Sequence, residues 1–528
     1  METQVVAVSP VRWAAAIAGL VGGGVALGVS EWLAGLASGV PSLVGAVGQT
    51  AIDWSPGSLV HLGITLLGHH DKTFVVAVIL VVSALAAAEL GMVAARSRWA
   101  ARAGFAGFGL IGVVAACRDP QARVVEVILT AVLSVLAGII SMELLLKLAP
   151  RPAGAEPSPR RIPTWQPGWR PSAEYSRRAF FAAAAAGGAL AAVAAAGGRR
   201  LATQAVAATR RLVNLPPVAE PVPAPTAANS VSVPGVTPIV VPNGDFYRID
   251  TRLLGPPSVD VGSWRLRITG KVDRPQIFTW DELAAMPMVE AYVTLQCVSN
   301  EVGGNLVGNA AWRGVPLSDL LNRAGVHPDA DQIVGRSVDG FTVGFPASAP
   351  SDGRVAMVAL GMNGELLPAT HGFPARLIVA GLYGYVSATK WLTEIELTRF
   401  DAYDSYWVQR GWDRLGPIKT ESRIDTIAPN PPVAGPTVLA GVAWAPTRGI
   451  RKVEVQIDDT PWGVARLAEP LSDDTWRQWS FPWTARAGHH VIRVRATDGH
   501  GQTQTAVNAE PLPNAATGYH TVTVNVRK

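Results

Sequence analysis

The chain has 528 residues, of which 49% are apolar and 16% charged, and its mean hydropathy of +0.24 is too high for an ordinary soluble protein. The net charge of +5 is thinly spread, with no basic run beside interleaved aromatic residues, so nucleic acid is not an expected partner. Residues 1–150 carry 8 Lys and Arg and 8 Asp and Glu, which leaves 69 of the 85 charged residues for the remaining 378. The composition predicts a membrane region followed by a soluble half.

Five long apolar runs with few charges have the length and composition needed to cross a bilayer. They are the segments 11–30, 73–95, 103–117, 124–146 and 179–198. A further run, 57–68, is too short to cross and contains His61, so we expect an interfacial or re-entrant helix there. The sequence predicts an N-terminal α-helical transmembrane bundle within residues 1–200.

Basic residues set the expected orientation of these spans, because cytoplasmic loops are enriched in Lys and Arg. The loops after the second and fourth spans are the basic ones, with Arg96, Arg98 and Arg102 in the former and Lys147, Arg151, Arg160, Arg161, Arg170, Arg177 and Arg178 in the latter. Both loops should be cytoplasmic. Five spans from a cytoplasmic N-terminus then put the soluble half on the extracytoplasmic side of the cell membrane.

The fifth run begins with Ser176, Arg177 and Arg178, followed by Ala-Phe-Phe and a weakly hydrophobic Ala/Gly stretch. This segment resembles a twin-arginine translocation signal, which directs the export of proteins that are already folded, often with a cofactor inserted. The alternative is an arginine pair that only marks the cytoplasmic end of a helix. No small-residue cleavage site stands out at 197–200, so we expect the segment to remain as an anchor.

Beyond the last span, prolines predict an extended linker over residues 201–244. Between 245 and 425, short apolar strands alternate with brief helical segments such as Trp280–Leu283 and Pro316–Ala324, an α+β pattern. From 426 to 528 only strands are predicted, at Val438–Trp444, Lys452–Ile457, Gly463–Leu467, Arg477–Trp483, His490–Thr497 and Tyr519–Val526. Strands at that spacing with turn-rich gaps favour an all-β immunoglobulin-like sandwich.

Cysteine is the one chemically distinctive residue of the soluble half. Signatures of nucleotide binding, zinc hydrolysis and serine hydrolysis are absent, and the two cysteines, Cys117 and Cys297, rule out a disulfide framework. Cys297 lies where an apolar strand enters the Gly-rich loop that ends at 304. Considered alone, a single Cys in this position is more often core filling than chemistry, because free Cys is among the most buried residues.

Several spaced motifs change that assessment. In chain order they are Asp-Phe-Tyr-Arg at 245–248, Leu-Gln-Cys at 295–297 with Asn300, and the segments 311–317, 362–368, 371–377, 381–384 and 390–392. Residues 240–528 thereby resemble the sulfite oxidase family of molybdenum enzymes. The resemblance implies an α+β sulfite-oxidase-like molybdopterin domain at 245–425 and the family's molybdenum-cofactor oxidoreductase dimerisation domain at 426–528, which can form a homodimer.

The resemblance also implies roles for individual residues. Cys297 matches the thiolate ligand of molybdenum, and soft sulfur suits this metal. Arg248 and Asn300 match catalytic-pocket positions. The molybdenum–molybdopterin cofactor (Moco) ends in a phosphate, and His371, Arg376 and Lys390, together with Arg248, are the expected cofactor-binding residues.

Some positions depart from the family pattern. Glu301 and Val302 stand where family members have two arginines, and Trp412 stands where they have a tyrosine. The Asn-His that normally follows the pocket arginine is Ile249-Asp250, and Arg477 matches another pocket arginine by a weaker alignment. With fewer cations and an added carboxylate, we do not expect tight binding of a doubly charged oxyanion.

The leading hypothesis is a membrane-anchored extracytoplasmic molybdopterin-dependent oxidoreductase that transfers an oxygen atom on a small substrate. The chain has no haem motif and no cysteine set for an iron–sulfur cluster, so electrons are expected to pass to an external carrier, a cytochrome or quinone system. The spans either anchor the enzyme or also dock that carrier. The alternatives are a membrane-anchored non-catalytic binding protein that uses its immunoglobulin-like domain, and thiol chemistry at Cys297.

Overall fold

The computed structural model describes residues 11–37, 39–55, 71–150, 173–427 and 432–528. The interfacial helix expected at 57–68 lies outside these described residues, as does the basic segment 151–172. The chain divides into two compact units. The first is Met1–Ala208 with Arg252–Ser258, and the second is Thr209–Thr251 with Val259–Lys528.

Six α-helices precede the first strand of the described chain. They are α1 (Arg12–Leu36), α2 (Leu43–Trp54), α3 (Asp71–Ala94), α4 (Arg98–Ala116), α5 (Val124–Leu148) and α6 (Ala173–Arg211). All except α2 are long and apolar enough to cross a membrane. The predicted runs fall within or close to these five helices, but α6 continues to Arg211, so residues 201–211 are helical rather than linker. Alanine-rich sequence favours this continuation, and Pro216 follows shortly after the end.

Small residues let the neighbouring helices approach α1 closely. A Cβ atom on Gly19 would lie 2.0 Å from the Ala87 carbonyl oxygen in α3, and one on Gly22 would lie 2.7 Å from the Gly138 oxygen in α5. Gly28 meets Ala191 of α6 in the same way. Backbone-to-backbone approach at small residues is typical of helix packing in membranes.

The first unit includes a short segment from the predicted catalytic region, Arg252–Ser258. Lys72 Nζ donates to the Arg252 carbonyl oxygen at 2.8 Å, and the Arg252 guanidinium lies 3.5 Å from the carboxylate of Asp119. Gln121 Nε2 donates to the Ser258 carbonyl oxygen at 3.4 Å. The predicted region 245–425 is therefore interrupted near its start by a segment that belongs to the helical unit.

The linker over residues 212–244 lies along the second unit instead of standing free of it. Arg313 Nη1 donates to the Pro216 carbonyl oxygen at 3.2 Å, and Tyr292 Oη donates to that of Pro223 at 3.3 Å. Further on, the Val231 amide donates to Gln478 Oε1 at 2.7 Å. Extended backbone rich in proline keeps its carbonyl groups available, and side-chain donors of the domain satisfy them.

The α+β part contains two five-stranded sheets. The first has the order β2-β1-β10-β5-β6, with β1 (Arg265–Gly270), β2 (Gln276–Thr279), β5 (Gln332–Ser337), β6 (Thr342–Pro346) and β10 (Leu392–Thr398), and only β1 and β10 pair in parallel. The second has the order β3-β4-β7-β8, with β9 also on β7: β3 (Val289–Gln296), β4 (Val307–Pro316), β7 (Ala356–Met362), β8 (Glu365–Leu366) and β9 (Arg376–Val379). Short helices α7 (Trp280–Ala284), α8 (Leu317–Ala324) and α9 (Gly384–Ser387) complete it, and the first two confirm the predicted helical segments.

The C-terminal part consists of two four-stranded sheets around one core. One sheet has the order β11-β12-β16-β15 and the other β14-β13-β17-β18. The strands are β11 (Glu421–Ile424), β12 (Gly435–Trp444), β13 (Ile450–Ile457), β14 (Gly463–Val464), β15 (Arg466–Leu467), β16 (Arg477–Ala485), β17 (Gly488–Asp498) and β18 (His520–Val526). Leu439 and Trp479 from the first sheet and Val453 and Val494 from the second are fully buried in the shared core. Five of the six predicted strands are present, whereas the one predicted at Gly463–Leu467 is divided into β14 and β15, which belong to different sheets. β11 starts the sheet before the expected boundary at 426.

Candidate functional site

Cys297 lies in the loop of a hairpin formed by β3 and β4. Gln296, the last residue of β3, pairs with Val307, and the Cys297 amide donates to the Leu306 carbonyl oxygen at 2.9 Å. The loop then turns tightly, with Gly303 at a φ of +81°, a conformation that L side chains rarely adopt. The two strands therefore fix the backbone on either side of the cysteine.

The Cys297 thiol is partly exposed and has one polar neighbour in its own loop. Its Sγ atom lies 3.0 Å from Ser299 Oγ. Burial raises the pKa of the Cys297 thiol, against the hydrogen bonds from Ser299 and the backbone that lower it. A bound metal cation would favour the thiolate that this burial disfavours.

Tyr247 joins this loop to the cationic side of the site. Burial raises the pKa of its phenol far above the usual value, and so does the nearby charge of Cys297, whereas the charge of Arg376 lowers it. A Cβ atom on Gly384 would lie 3.9 Å from Tyr247 Oη and 3.7 Å from the Gln296 carbonyl oxygen. The phenol therefore stays protonated at neutral pH and lies near the strand end that carries Cys297.

Asn300 is buried and stabilises the turn from inside. Its Oδ1 atom accepts a hydrogen bond from the Leu306 amide at 2.8 Å. Its Nδ2 atom is also buried and has no hydrogen-bond partner in the part of the chain that the structure describes.

His371 is buried beside three cationic side chains. Burial and the charges of Arg376, Lys390 and Arg248 lower the pKa of its imidazole to about 4, although a hydrogen bond to the Asn243 backbone opposes them. Nε2 lies 2.8 Å from the Asn243 carbonyl oxygen, which can only accept. The neutral ring is therefore protonated on Nε2, and Nδ1 is the acceptor.

Arg376 begins β9 and is almost completely buried. Nη1 donates to the His371 carbonyl oxygen at 3.1 Å, and the guanidinium carbon lies 4.9 Å from the ring centroid of Trp312. Burial lowers the pKa of Arg376 to about 10, so it remains charged at neutral pH. Its Nε atom has no hydrogen-bond partner among the described residues.

Lys390 is also buried, and its charge acts on His371. Nζ donates to Asp250 Oδ2 at 2.9 Å and to the Thr370 carbonyl oxygen at 3.3 Å. Arg248 is exposed, with Nε 4.0 Å from the same Asp250 oxygen. A Cβ atom on Gly372 would meet the Lys390 backbone at 3.1 Å, so glycine is needed for the two segments to approach this closely.

These residues fit an anionic cofactor. Arg248, Arg376 and Lys390 bring three positive charges and Asp250 one negative charge. Two buried donors, Arg376 Nε and Asn300 Nδ2, have no acceptor among the described residues. Buried donors in proteins rarely lack an acceptor, so a bound anionic group fits here. Within the described residues no group of three or more His, Cys, Asp and Glu is placed to hold a metal ion.

Two residues that the sequence alignment suggested for the pocket have other contacts. Arg477, on β16, donates to the carbonyl oxygens of Ala468 and Ile450 within the C-terminal sheets. Burial there lowers its pKa. Trp412 packs in an aromatic cluster, 5.9 Å from Tyr385 and 6.5 Å from Trp407 between ring centroids.

Val302 lines an open groove of about 640 Å³ together with residues of the C-terminal sheets. Arg493, Arg495 and Trp462 are among the lining side chains. The Arg495 guanidinium stacks 4.2 Å from the Trp462 ring and donates to Glu454 at 3.0 Å. The groove thus contains two guanidinium groups that the motif comparison missed, since they lie about 190 residues further along the chain.

The sequence motifs alone assign no role to Tyr247 or Gln296, although these residues lie in Asp-Phe-Tyr-Arg and Leu-Gln-Cys. The signal was the Phe-Tyr-Arg and Leu-Gln-Cys runs themselves. The interaction of the Tyr247 phenol with Cys297, and the contacts of the buried Gln296 amide, depend on the folded chain and are not visible in the sequence.

Taken together, one loop cysteine, the partly buried Tyr247 phenol and a cluster of cations form a pocket that fits an anionic cofactor. Residues 254–407 match the family model described as the oxidoreductase molybdopterin binding domain. The uncharacterized oxidoreductase YuiH of Bacillus subtilis is 30% identical over 157 residues, which are 30% of this chain and 76% of that protein. The chain belongs to the sulfite oxidase family of molybdopterin-binding oxidoreductases. Membership of this family implies Moco, a small-molecule substrate and an electron acceptor.

Two longer relatives are named for the reaction that they catalyse. Human mitochondrial sulfite oxidase is 27% identical over 303 residues, 48% of this chain and 55% of that enzyme. The NADH nitrate reductase of Solanum lycopersicum is 28% identical over 316 residues, 47% of this chain and 34% of that enzyme. The chain thus spans about half the length of the sulfite oxidase and a third of the nitrate reductase.

Among solved structures, the sulfane dehydrogenase SoxCD of Paracoccus pantotrophus aligns with a TM-score of 0.47 and 22% identity, over 58% of this chain and 88% of that one. The matched family model and the named sequence relatives are oxidoreductases, which favours an enzyme over the alternative of a non-catalytic binding protein.

Proposed function

We propose that this protein is a membrane-anchored molybdenum oxidoreductase whose soluble half lies on the extracytoplasmic side. It transfers an oxygen atom to or from a small substrate and exchanges electrons with an external cytochrome or quinone system. Cys297 is the metal ligand, and His371, Arg376, Lys390 and Arg248 bind the anionic part of the cofactor. The C-terminal sheets form an immunoglobulin-like dimerisation domain.

One observation carries the proposal: Tyr247 interacts electrostatically with both Cys297 and Arg376. The charges of both residues act on the same partly buried phenol, in opposite directions. The proposed cofactor is bound by a sulfur ligand at one end and by cations at the other. Tyr247 interacts with one group of each kind, the Cys297 thiol and the Arg376 guanidinium. Buried donors without acceptors among the described residues, at Arg376 Nε and Asn300 Nδ2, support an anionic occupant.

Each residue has a distinct task in this mechanism. When bound, the cofactor supplies a two-electron redox centre that exchanges one oxygen atom with the substrate. Arg376 offers a planar fork to phosphate oxygens and Lys390 a point charge. Tyr247 keeps its proton on Oη and can donate it in a hydrogen bond toward the cysteine side of the pocket. Asn300 holds the turn that presents the thiol.

The exposed surface of the helical unit supports membrane anchoring. Large apolar side chains are more than half exposed along α3, including Val81 at 58% and Leu85 at 64%, and along α5, including Leu129 at 57%. Contiguous apolar surface of this kind needs lipid or another protein to cover it. The Arg177-Arg178 pair, exposed near the start of α6, supports delivery by a pathway for folded proteins.

Molybdenum content tests the proposal directly. Cys297→Ser should abolish turnover and lower bound molybdenum well below one per chain, because a serine oxygen replaces a soft thiolate poorly. Cys117→Ser, at an exposed cysteine after α4, is the matched control and should keep both. Full molybdenum content and turnover in the Cys297 variant would contradict the proposed ligand.

A further inference from the structure

Behind the cysteine loop lies a buried carboxyl group that the proposed mechanism does not use. Glu421, the first residue of β11, is 7% exposed. Its Oε1 atom accepts hydrogen bonds from Gln296 Nε2 at 2.8 Å and from Tyr383 Oη at 3.3 Å. Gln296 directly precedes Cys297, so Glu421 is linked to the proposed metal ligand through one side chain and one peptide unit.

The orientation of the Gln296 amide is fixed from both ends. Trp444 Nε1 donates to Gln296 Oε1 at 2.8 Å, and an indole nitrogen can only donate. Gln296 must therefore present its NH₂ group to Glu421. Glu421 and Trp444 are paired opposite each other in β11 and β12, so one strand pair of the C-terminal sheets supplies both contacts.

Tyr383 brings the same carboxyl group close to the other side of the loop. Its hydroxyl group donates to Glu421, and the next residue, Gly384, approaches the Gln296 carbonyl oxygen and Tyr247 Oη. The carboxyl group therefore contacts both Gln296 and Tyr383, whose neighbour Gly384 lies near the Gln296 backbone, and a change in its charge acts on both contacts.

We propose that Glu421 is a positioning residue for the cysteine loop, which holds Gln296, and with it the strand end that carries Cys297, through a hydrogen bond that strengthens when the carboxyl group is ionised. This inference rests on the proposed function, because it takes Cys297 as the metal ligand. Hydrogen bonds to a charged acceptor are roughly twice as strong as neutral ones.

The charge of this carboxyl group changes in the neutral range. Burial raises the pKa of Glu421 from 4.5 to about 7, against the hydrogen bonds from Gln296 and Tyr383 and the charge of Lys419, which lower it. Tyr383 keeps its proton, because burial and the charge of Glu421 raise its pKa well above the usual value. Burial lowers the pKa of Lys419, and the charge of Tyr385 adds to the rise in the pKa of Tyr383.

The direction of the effect follows from these values. Above about pH 7 the carboxylate is ionised and the hydrogen bond to Gln296 is charge-assisted, so the loop is held more firmly. Below that pH the group is neutral and the bond is weaker. The contribution of Glu421 to the free energy of unfolding has the opposite pH dependence. The native state binds the proton more tightly than the unfolded chain does, so this contribution falls as pH rises from 4.5 to 7.

The test uses the full chain loaded with its cofactor, with molybdenum content measured first. Infrared spectroscopy follows the carboxylic acid C=O band with pH, and electron paramagnetic resonance follows the reduced metal over the same range. Wild type, Glu421→Gln and the control Glu394→Gln are compared. The Glu421→Gln side chain keeps an acceptor for Gln296 and Tyr383 but cannot ionise, and Glu394 lies on β10, bonded to Arg267 and Thr269.

We expect the carboxylic acid band and the metal spectrum of wild type to change with one midpoint near pH 7. Both changes should be lost in Glu421→Gln and kept in the control. Two outcomes would overturn this inference and leave the molybdenum assignment intact. One is a wild-type metal spectrum that does not change with pH, and the other is a metal spectrum that keeps its pH dependence in Glu421→Gln. Protein that binds no molybdenum would overturn both.

Tyr383→Phe gives a second, independent variant. It removes a hydrogen bond that lowers the pKa of Glu421, so the midpoint of both signals should rise by about 0.4 to 1 pH unit, the equivalent of one hydrogen bond. An unchanged midpoint in this variant would contradict the proposed contact.

Discussion

Lys390 and Asp250 form a largely buried ion pair between positions 140 residues apart, with Nζ donating to Oδ2 at 2.9 Å. Family members have Asn-His after the pocket arginine, whereas this chain has Ile249-Asp250. The carboxylate of Asp250 therefore lies against a lysine that the family resemblance assigns to the cofactor phosphate. Without cofactor, the Asp250 carboxylate stabilises the positive charge of Lys390. With cofactor bound, the phosphate would stabilise the same charge.

Asp250→Asn should destabilise the cofactor-free chain more than the loaded one. Without cofactor, Lys390 loses the carboxylate that offsets its burial, at a cost on the order of 1–3 kcal/mol. With cofactor bound, the phosphate supplies the negative charge. Thermal unfolding of both forms measures the difference, with Asp352→Asn as control because the Asp352–Arg354 pair lies nearer the surface. Equal losses in the two forms would contradict a phosphate at Lys390.

Arg376→Ala should lower cofactor retention by roughly ten- to a hundredfold, because each charge-assisted hydrogen bond to phosphate contributes about 1.5 to 3 kcal/mol. Arg376→Lys should recover only part of this, since an ammonium group cannot reproduce the planar fork. Pterin fluorescence after oxidation of the purified protein measures the cofactor content. Arg336→Ala, on β5 and paired with Glu396, is the control. Wild-type content in Arg376→Ala would exclude a role in cofactor binding.

Replacing both Arg177 and Arg178 by Lys should block export of the soluble half. A folded, cofactor-loaded domain cannot pass through a channel for unfolded chains, and lysine keeps the positive charge but not the arginine pair of the signal. A reporter fused after Lys528 should then remain cytoplasmic. The same change at Arg199 and Arg200, further along α6, should leave export intact. Export in the first variant would mean that the pair is only a topology marker.

Wild type should oxidise sulfite poorly, and Val302→Arg should improve its affinity for sulfite. Val302 lines the groove that also contains Arg493 and Arg495, so an added guanidinium would bring a third positive charge to this groove. One charge-assisted contact corresponds to roughly a ten- to hundredfold gain in affinity, and the gain should shrink at high salt. Steady-state KM values at two ionic strengths measure it, with Val438→Arg on β12 as control. Fast wild-type turnover of micromolar sulfite would contradict this interpretation of the groove.

Acid should destabilise the C-terminal sheets through His520. Its Nδ1 atom accepts from the Ile424 amide at 3.0 Å, which requires the unprotonated ring. Burial and Arg423 lower its pKa from 6.5 to about 4, against the charge of Asp425. Between these two pKa values His520 is protonated in the unfolded chain but not in the native state. The free energy of unfolding therefore decreases as pH falls from 6.5 to 4. Denaturant titrations measure the free energy of unfolding at each pH. Between pH 6.5 and 4 this free energy should decrease by about 1–3 kcal/mol less in His520→Asn than in wild type. The same acid loss in both proteins would rule out this contribution, and His489→Asn is the control.

Local motifs were enough to select the residues around the cationic pocket. His371 and Arg376 lie in one short run, and the structure brings Lys390 and Arg248 to the same imidazole. Partners that depend on strand pairing were not predictable. Glu421 reaches Gln296 from 125 positions further along the chain, through a β11 strand that sequence patterning assigned to the catalytic region. A single sequence sets alternation within a strand, but it does not set which strand lies beside which.

Trp444 Nε1 and Glu421 Oε1 hold Gln296 from positions 148 and 125 residues downstream. During synthesis, the hairpin that carries Cys297 leaves the ribosome before either contact can form. A chain ending at residue 420 lacks both. The cysteine loop therefore reaches its final support only when β11 and β12 have been made and paired, which makes completion of the site a late event in the maturation of the chain.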